Sequence, residues 1–93
     1  LEVSDTDLKY DDRSPIVTGR ITNTTSEEKD CYIEVVFYNS EGKAIAVTES
    51  SVDNIPVNGK KSFENSGYFI ENNIKSTDIT DYKVFARITN YFY

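Results

Sequence analysis

Ninety-three residues make one domain spanning 1–93, and a chain of this size buries roughly 60–65% of the surface its unfolded form exposes, enough for a single core. Sixteen Asp and Glu against ten Lys and Arg leave a net charge of −6, which disfavours nucleic acid and anionic bilayers, and no apolar run approaches the ~20 residues of a membrane span. With no His and with Cys31 as the only cysteine, no intrachain disulfide and no Ser–His or Cys–His nucleophile can be assembled. A carboxylate pair is the catalytic option left open, but most acidic residues fall in turns and on outward strand faces, where solvated charge is the ordinary expectation, so the chain is read as a non-enzyme with no catalytic residue, cofactor or metal.

Alternation with period two dominates, and helical periodicity is nearly absent. Val3 to Tyr10 is a weak first strand. In the next, Val17, Gly19 and Ile21 point one way and Thr18, Arg20 and Thr22 the other. Thr24 to Asp30 is a polar connection. Cys31, Ile33, Val35 and Phe37 then share a face. Asn39-Ser40-Glu41-Gly42 is a hairpin connection whose Gly suits a positive φ. Lys43 to Glu49 alternates again, with Ile45 and Val47 expected on one side. Pro56-Val57-Asn58-Gly59 is a turn: Pro presets φ, and Asn-Gly tolerates a left-handed residue. Asn65-Ser66-Gly67 reads as a bulge between Phe63 and Tyr68. Asn72 to Asp81 is a loop or one helical turn, anchored by Ile74 and Ile79. Tyr82, Val84, Ala86 and Ile88 are the inner set of a long last strand. About six or seven strands at this turn spacing form an antiparallel β-sandwich. Its expected core is Val17, Ile21, Ile33, Val35, Phe37, Ile45, Phe63, Tyr82, Val84, Ala86 and Ile88.

Several residues invite a chemical reading. Asp5, Asp7, Asp11 and Asp12 cluster near the first strand, and Asp78 and Asp81 precede the last. Oxygen-rich loops suit Ca²⁺, but the spacing matches no EF-hand, and acidic turn and edge residues account for the pattern. Asn23-Thr24-Thr25 is a glycosylation sequon, yet Asn23 is expected to end its strand by bonding local backbone. Gly19 inside a strand allows a large neighbour to approach, with Phe37 or Tyr82 as candidates. Cys31 is in phase with the core and reads as a buried, inert thiol; no lipobox-like run precedes it.

The tract from Val17 to Phe63 carries a resemblance. Val17-x-Gly19-x-Ile21-x-Asn23, a polar gap, a β run ending in Tyr38-Asn39 and Gly42, then Pro56, Gly59 and Phe63 resemble the FxLYD domain in order and spacing. The eponymous motif falls on Val35-Val36-Phe37-Tyr38-Asn39, where Tyr38 matches outright. Val35 stands for Phe, Phe37 for Leu and Asn39 for Asp. The resemblance covers about half the chain and brings no catalytic residue. It implies an all-β, immunoglobulin-like sandwich found in bacterial secreted proteins and lipoproteins, and hence an extracytoplasmic location. The absence of Met fits a segment of a longer chain, with Leu1 not its natural start.

In such a sandwich the third strand and the penultimate one share a sheet. Pairing Cys31–Tyr38 with Tyr82–Tyr93 directs Tyr32, Glu34, Val36, Tyr38, Phe85, Arg87, Thr89 and Tyr91 outward. Tyr, Phe and Arg are the types enriched at interface centres. Tyr32, Val36, Tyr38, Phe85, Arg87 and Tyr91 are therefore the candidate interaction face, and another protein or another domain of the parent chain is the expected partner. Simple cross-strand pairing is the plainer account of the same residues. The expected role is a non-catalytic spacer or protein-interaction module. The alternative is a module that binds glycan or peptide on the Tyr/Phe-lined face.

Overall fold

A computed structural model describes residues 1–10, 14–69 and 75–89. Seven antiparallel strands form two sheets: β1 (Glu2–Tyr10), β2 (Pro15–Thr22), β3 (Lys29–Tyr38), β4 (Ala44–Ile55), β5 (Lys60–Ser66), β6 (Tyr68–Phe69) and β7 (Asp81–Ile88). One sheet has the order β1-β2-β5, the other β6-β4-β3-β7. Ser76–Asp78 is a single 3₁₀ turn leading into β7, and Ile79 behind it is buried as expected of an anchor. Ile74 lies outside the described residues.

The inner face follows from the alternation. Val17 and Ile21 of β2, Phe63 of β5, and Cys31, Ile33, Val35 and Phe37 of β3 are buried between the sheets, with Ile45, Ala46, Ile55 and Ile79. Leu1, Val3, Leu8, Val52, Tyr82, Val84 and Ala86 pack against this cluster only in part. The expected burial of β7 is thus corrected. Tyr82, Val84 and Ala86 have the inner parity but are half-buried, and Ile88 is 40% exposed. The reason is position: β7 is an edge strand, and among the described residues no strand pairs with its far side.

Bulges reset the parity of β4 at both ends. Phe37 opposes Ala46 while Tyr38 opposes Ala44, which makes Ile45 an extra residue. Ile45 and Val47 therefore do not share a side: Ile45 is buried, and Val47 stands opposite the outward Val36. Thr48, not Val47, takes the inner position. Farther along, Asp53 and Asn54 bulge against Asp30, whose carboxylate accepts the Asn54 amide at 2.8 Å while Asn54 adopts φ 56°. This second reset returns Ile55 to the core. The strand extends to Ile55, well beyond the alternation that ends at Glu49.

Asn65-Ser66-Gly67 is not a bulge. β5 belongs to one sheet and β6 to the other, and Gly67 is where the chain crosses between them, with its amide donating to Pro15 O at 2.8 Å. Two buried asparagines tie the layers together. Asn65 of β5 accepts the Ser50 hydroxyl at 2.6 Å and donates to Ile33 O at 3.4 Å, so it reaches across the core to β3 and β4. Asn23, at the end of β2, donates to Ile55 O at 2.9 Å and Glu27 O at 2.7 Å. Its Oδ1 accepts the Thr25 amide at 2.9 Å and the Thr25 hydroxyl at 2.6 Å. The expected local role of Asn23 is met, and a long-range one is added.

Gly19 does admit a large neighbour, but neither Phe37 nor Tyr82. The Phe63 ring lies over it, 2.5 Å from where a Cβ would be, because Gly19 and Phe63 are direct partners across the β2–β5 pair. The two turn expectations hold: Gly42 has φ 78° and Asn58 has φ 59°.

Candidate functional site

The outer face of the β4-β3-β7 sheet is built in rows by its register. Ser51, Tyr32 and Arg87 stand side by side, then Glu49, Glu34 and Phe85, then Val47, Val36 and Lys83, then Ala44, Tyr38 and Asp81. Tyr32, Val36, Tyr38, Phe85 and Arg87, the outward set expected from parity, are thus brought together on one surface. Tyr91 lies outside the described residues. Phe85 is 49% exposed, the most open of the large apolar side chains described. The first strand does not cover it, since β1 belongs to the other sheet.

Charges are fitted to the aromatic rings. The Arg87 guanidinium sits over the Tyr32 ring, 4.7 Å from its centroid, and the Lys83 ammonium is 5.7 Å from that of Tyr38. The Tyr32 hydroxyl donates to the Glu49 carboxylate. That bond favours the neutral phenol and pushes the Tyr32 pKa above its ordinary value; desolvation and the negative charges of Glu49 and Glu34 act in the same direction. Glu49, Tyr32 and Arg87 therefore form a carboxylate–phenol–guanidinium series across three strands. Beside it, Tyr32, Glu34, Phe85, Ala86 and Arg87 line a shallow depression of about 380 Å³.

Glu49 and Lys83 are the members that sequence reasoning missed. Lys83 was legible as an outward residue of the last strand. Glu49 was not, because the bulge at Ile45 decides which side of β4 faces outward.

Among the described residues the acidic side chains do not converge. Asp5 pairs loosely with Arg20 at 4.0 Å, Asp78 accepts the Lys75 amide at 2.9 Å, and Asp81 accepts the Tyr82 amide at 2.8 Å. Asp11 and Asp12 lie outside the described residues. Among the described residues no three His, Cys, Asp or Glu side chains come together as a metal site. Cys31 is a buried free thiol; burial pushes its pKa up, and its Sγ donates to Tyr32 O at 3.5 Å. No helix among the described residues is long and apolar enough to cross a membrane. No family model, no curated protein and no solved structure matches the chain.

Proposed function

We propose that this chain is a non-catalytic β-sandwich module of the FxLYD type. It belongs to a bacterial secreted protein or surface lipoprotein and serves as a protein-interaction domain through the outer face of β4, β3 and β7. The observation that carries the reading is the exposed Phe85 beside the Arg87–Tyr32–Glu49 series. An exposed Phe beside Tyr and Arg presents the residue types enriched at interface centres. The glycan alternative is weakened by the same geometry. A sugar stacks on an open aromatic face; a cation of the chain itself lies over the rings of both Tyr32 and Tyr38, which leaves Phe85 as the open ring for such stacking. A peptide seated in the depression beside Phe85 remains within the reading, as one form of protein partner.

The test uses the full-length gene product in its own host. Protease treatment of intact cells reports whether the domain faces outward. A photo-crosslinking residue in place of Phe85 then reports what touches the face. Discrete adducts with a different protein that disappear on Tyr32→Ser support an interaction module. A crosslinker that captures only solvent, in a domain with unchanged melting, leaves a spacer. Protection from external protease by an intact membrane would discard the extracytoplasmic part.

A further inference from the structure

The free edge of β7 is a second surface, adjoining the aromatic face. β7 ends its sheet, and among the described residues no strand pairs with its far side. The ladder phase fixes what that side presents. Thr89 N donates to Asp30 O at 3.0 Å, in the same register that sets Cys31 opposite Ile88. Antiparallel alternation then turns the backbone groups of Asp81, Lys83, Phe85 and Arg87 toward β3, and those of Tyr82, Val84, Ala86 and Ile88 outward. The Tyr82 amide agrees, for it bonds to the Asp81 carboxylate rather than to β3.

Exposed edges are normally guarded by bulges, inward charges or short length. Among the described residues the other edges are interrupted, crossed by a charged side chain or short. β1 is interrupted by a bulge between Ser4 and Asp7, with Asp5 at φ 54°. β5 sends Lys61 across the open side to Asp53 O at 2.7 Å. β6 is two residues long. β7 has eight residues in unbroken register with β3, no Pro and no charged residue among its inner set. Its inner side chains also leave the core open at this flank, with Ile88 40% exposed.

We propose that β7 pairs antiparallel with β7 of a second copy of this chain, about a two-fold axis at Val84, fusing the two four-stranded sheets into one. Charge favours that register over those centred on the neighbouring Lys83 and Phe85. Centring on Val84 sets Asp81 opposite Arg87 of the second copy, Lys83 opposite Phe85 and Tyr82 opposite Ala86, each twice. Centring on Lys83 opposes two lysines, and centring on Phe85 opposes Lys83 to Arg87. In the Val84 register the outward amides and carbonyls of Tyr82, Val84 and Ala86 bond one another. Asp81 and Arg87 occupy a non-hydrogen-bonded pair, where side chains approach closest. Asp81, which now holds the Tyr82 amide, exchanges that bond for the guanidinium when the second strand arrives. Lys83, Phe85 and Arg87 belong to both surfaces, but neither Tyr32 nor Tyr38 takes part in the edge pairing, so this inference goes beyond the reading of the aromatic face, and Tyr32→Ser, which removes the ring under Arg87, should leave the edge pairing in place.

Sedimentation velocity from about 10 µM to about 1 mM, the range suited to a small interface, reads the association. Asp81→Arg and Arg87→Glu, each alone, are expected to raise the dimer dissociation constant about tenfold or more, because like charges then meet at both symmetric positions. The double reversal restores opposite pairs and is expected to return the constant to within about threefold of the original. Amide exchange at Val84 and Ala86 should slow with rising concentration while that of Val36, already inside the sheet, should not. A chain that stays monomeric at about 1 mM overturns the proposal. So does a double reversal that melts normally yet stays dissociated. Association that survives both single reversals, with spectral shifts confined to Tyr32 and Tyr38, assigns self-association to the aromatic face and overturns the edge model.

Discussion

Replacing Asn23 with Ala is expected to be among the most damaging single changes a polar residue of this domain can suffer. The side chain is fully buried and serves two segments at once. Its amide donates to Ile55 O at the end of β4 and to Glu27 O in the β2–β3 connection. The backbone of the same residue bonds Gly59 O and the Asn58 amide, so β2, the connection and the β4–β5 turn all converge on one residue. In Asn23→Ala, Glu27 O keeps the Thr25 hydroxyl as a partner, and the Thr25 amide is near enough to the surface to find water. Ile55 O is left buried without that donor, which costs about 1–3 kcal/mol, and the space vacated by the carboxamide adds to it. A total of about 2–4 kcal/mol is a large share of the roughly 5–14 kcal/mol expected for a domain this size, and corresponds to a drop of roughly 10–25 °C in melting temperature. Urea denaturation of Asn23→Ala beside Thr25→Ala separates the buried bond from the exposed ones. Thr25→Ala should lose only about 0.5–1.5 kcal/mol. If the two variants cost the same, or Asn23→Ala costs less than about 1 kcal/mol, the tie to Ile55 is not what holds the end of the sandwich together.

Three further outcomes follow from the packing and the titrating groups. Gly19→Ala puts a methyl into the Phe63 ring and should cost about 1–3 kcal/mol, with Phe63→Leu in the same chain recovering part of the loss in a denaturation cycle. Phe85→Ser should change stability by no more than about 1 kcal/mol, since the ring lies on an open sheet face; a loss near the ~3–5 kcal/mol of a core aromatic would show that the face is covered in solution. Tyr32 and Cys31 both have folded pKa values raised above their unfolded ones, by the Glu49 bond and by burial respectively. Their contribution is therefore complete below the unfolded values and lost as pH climbs from about 9 through the folded values. Tyr32→Phe should flatten that alkaline decline, and the Cys31 thiol should react slowly with a water-soluble reagent until denaturant is added.

The sequence by itself determined the all-β class, most of the strands, the inward set of β2 and β3, and the outward set of β3 and β7. Those follow from local alternation, because successive side chains of a strand must point to opposite faces. The turn at Gly42 and the turn at Asn58 were legible for the same local reason, a residue suited to positive φ. What tertiary structure alone decided was every feature that depends on where a strand stops obeying the alternation, or on what lies beside it. The bulge at Ile45 moved Val47 to the outer face and Thr48 to the core, and brought Glu49 to Tyr32. The register of β2 with β5 chose Phe63 as the neighbour of Gly19, and the core bonds of Asn65 join residues far apart in the chain. The edge position of β7 left Ile88 half-open although its parity is that of a core residue. Parity is a property of one strand and is written in its residues; burial belongs to the neighbours, which only the folded sheets supply.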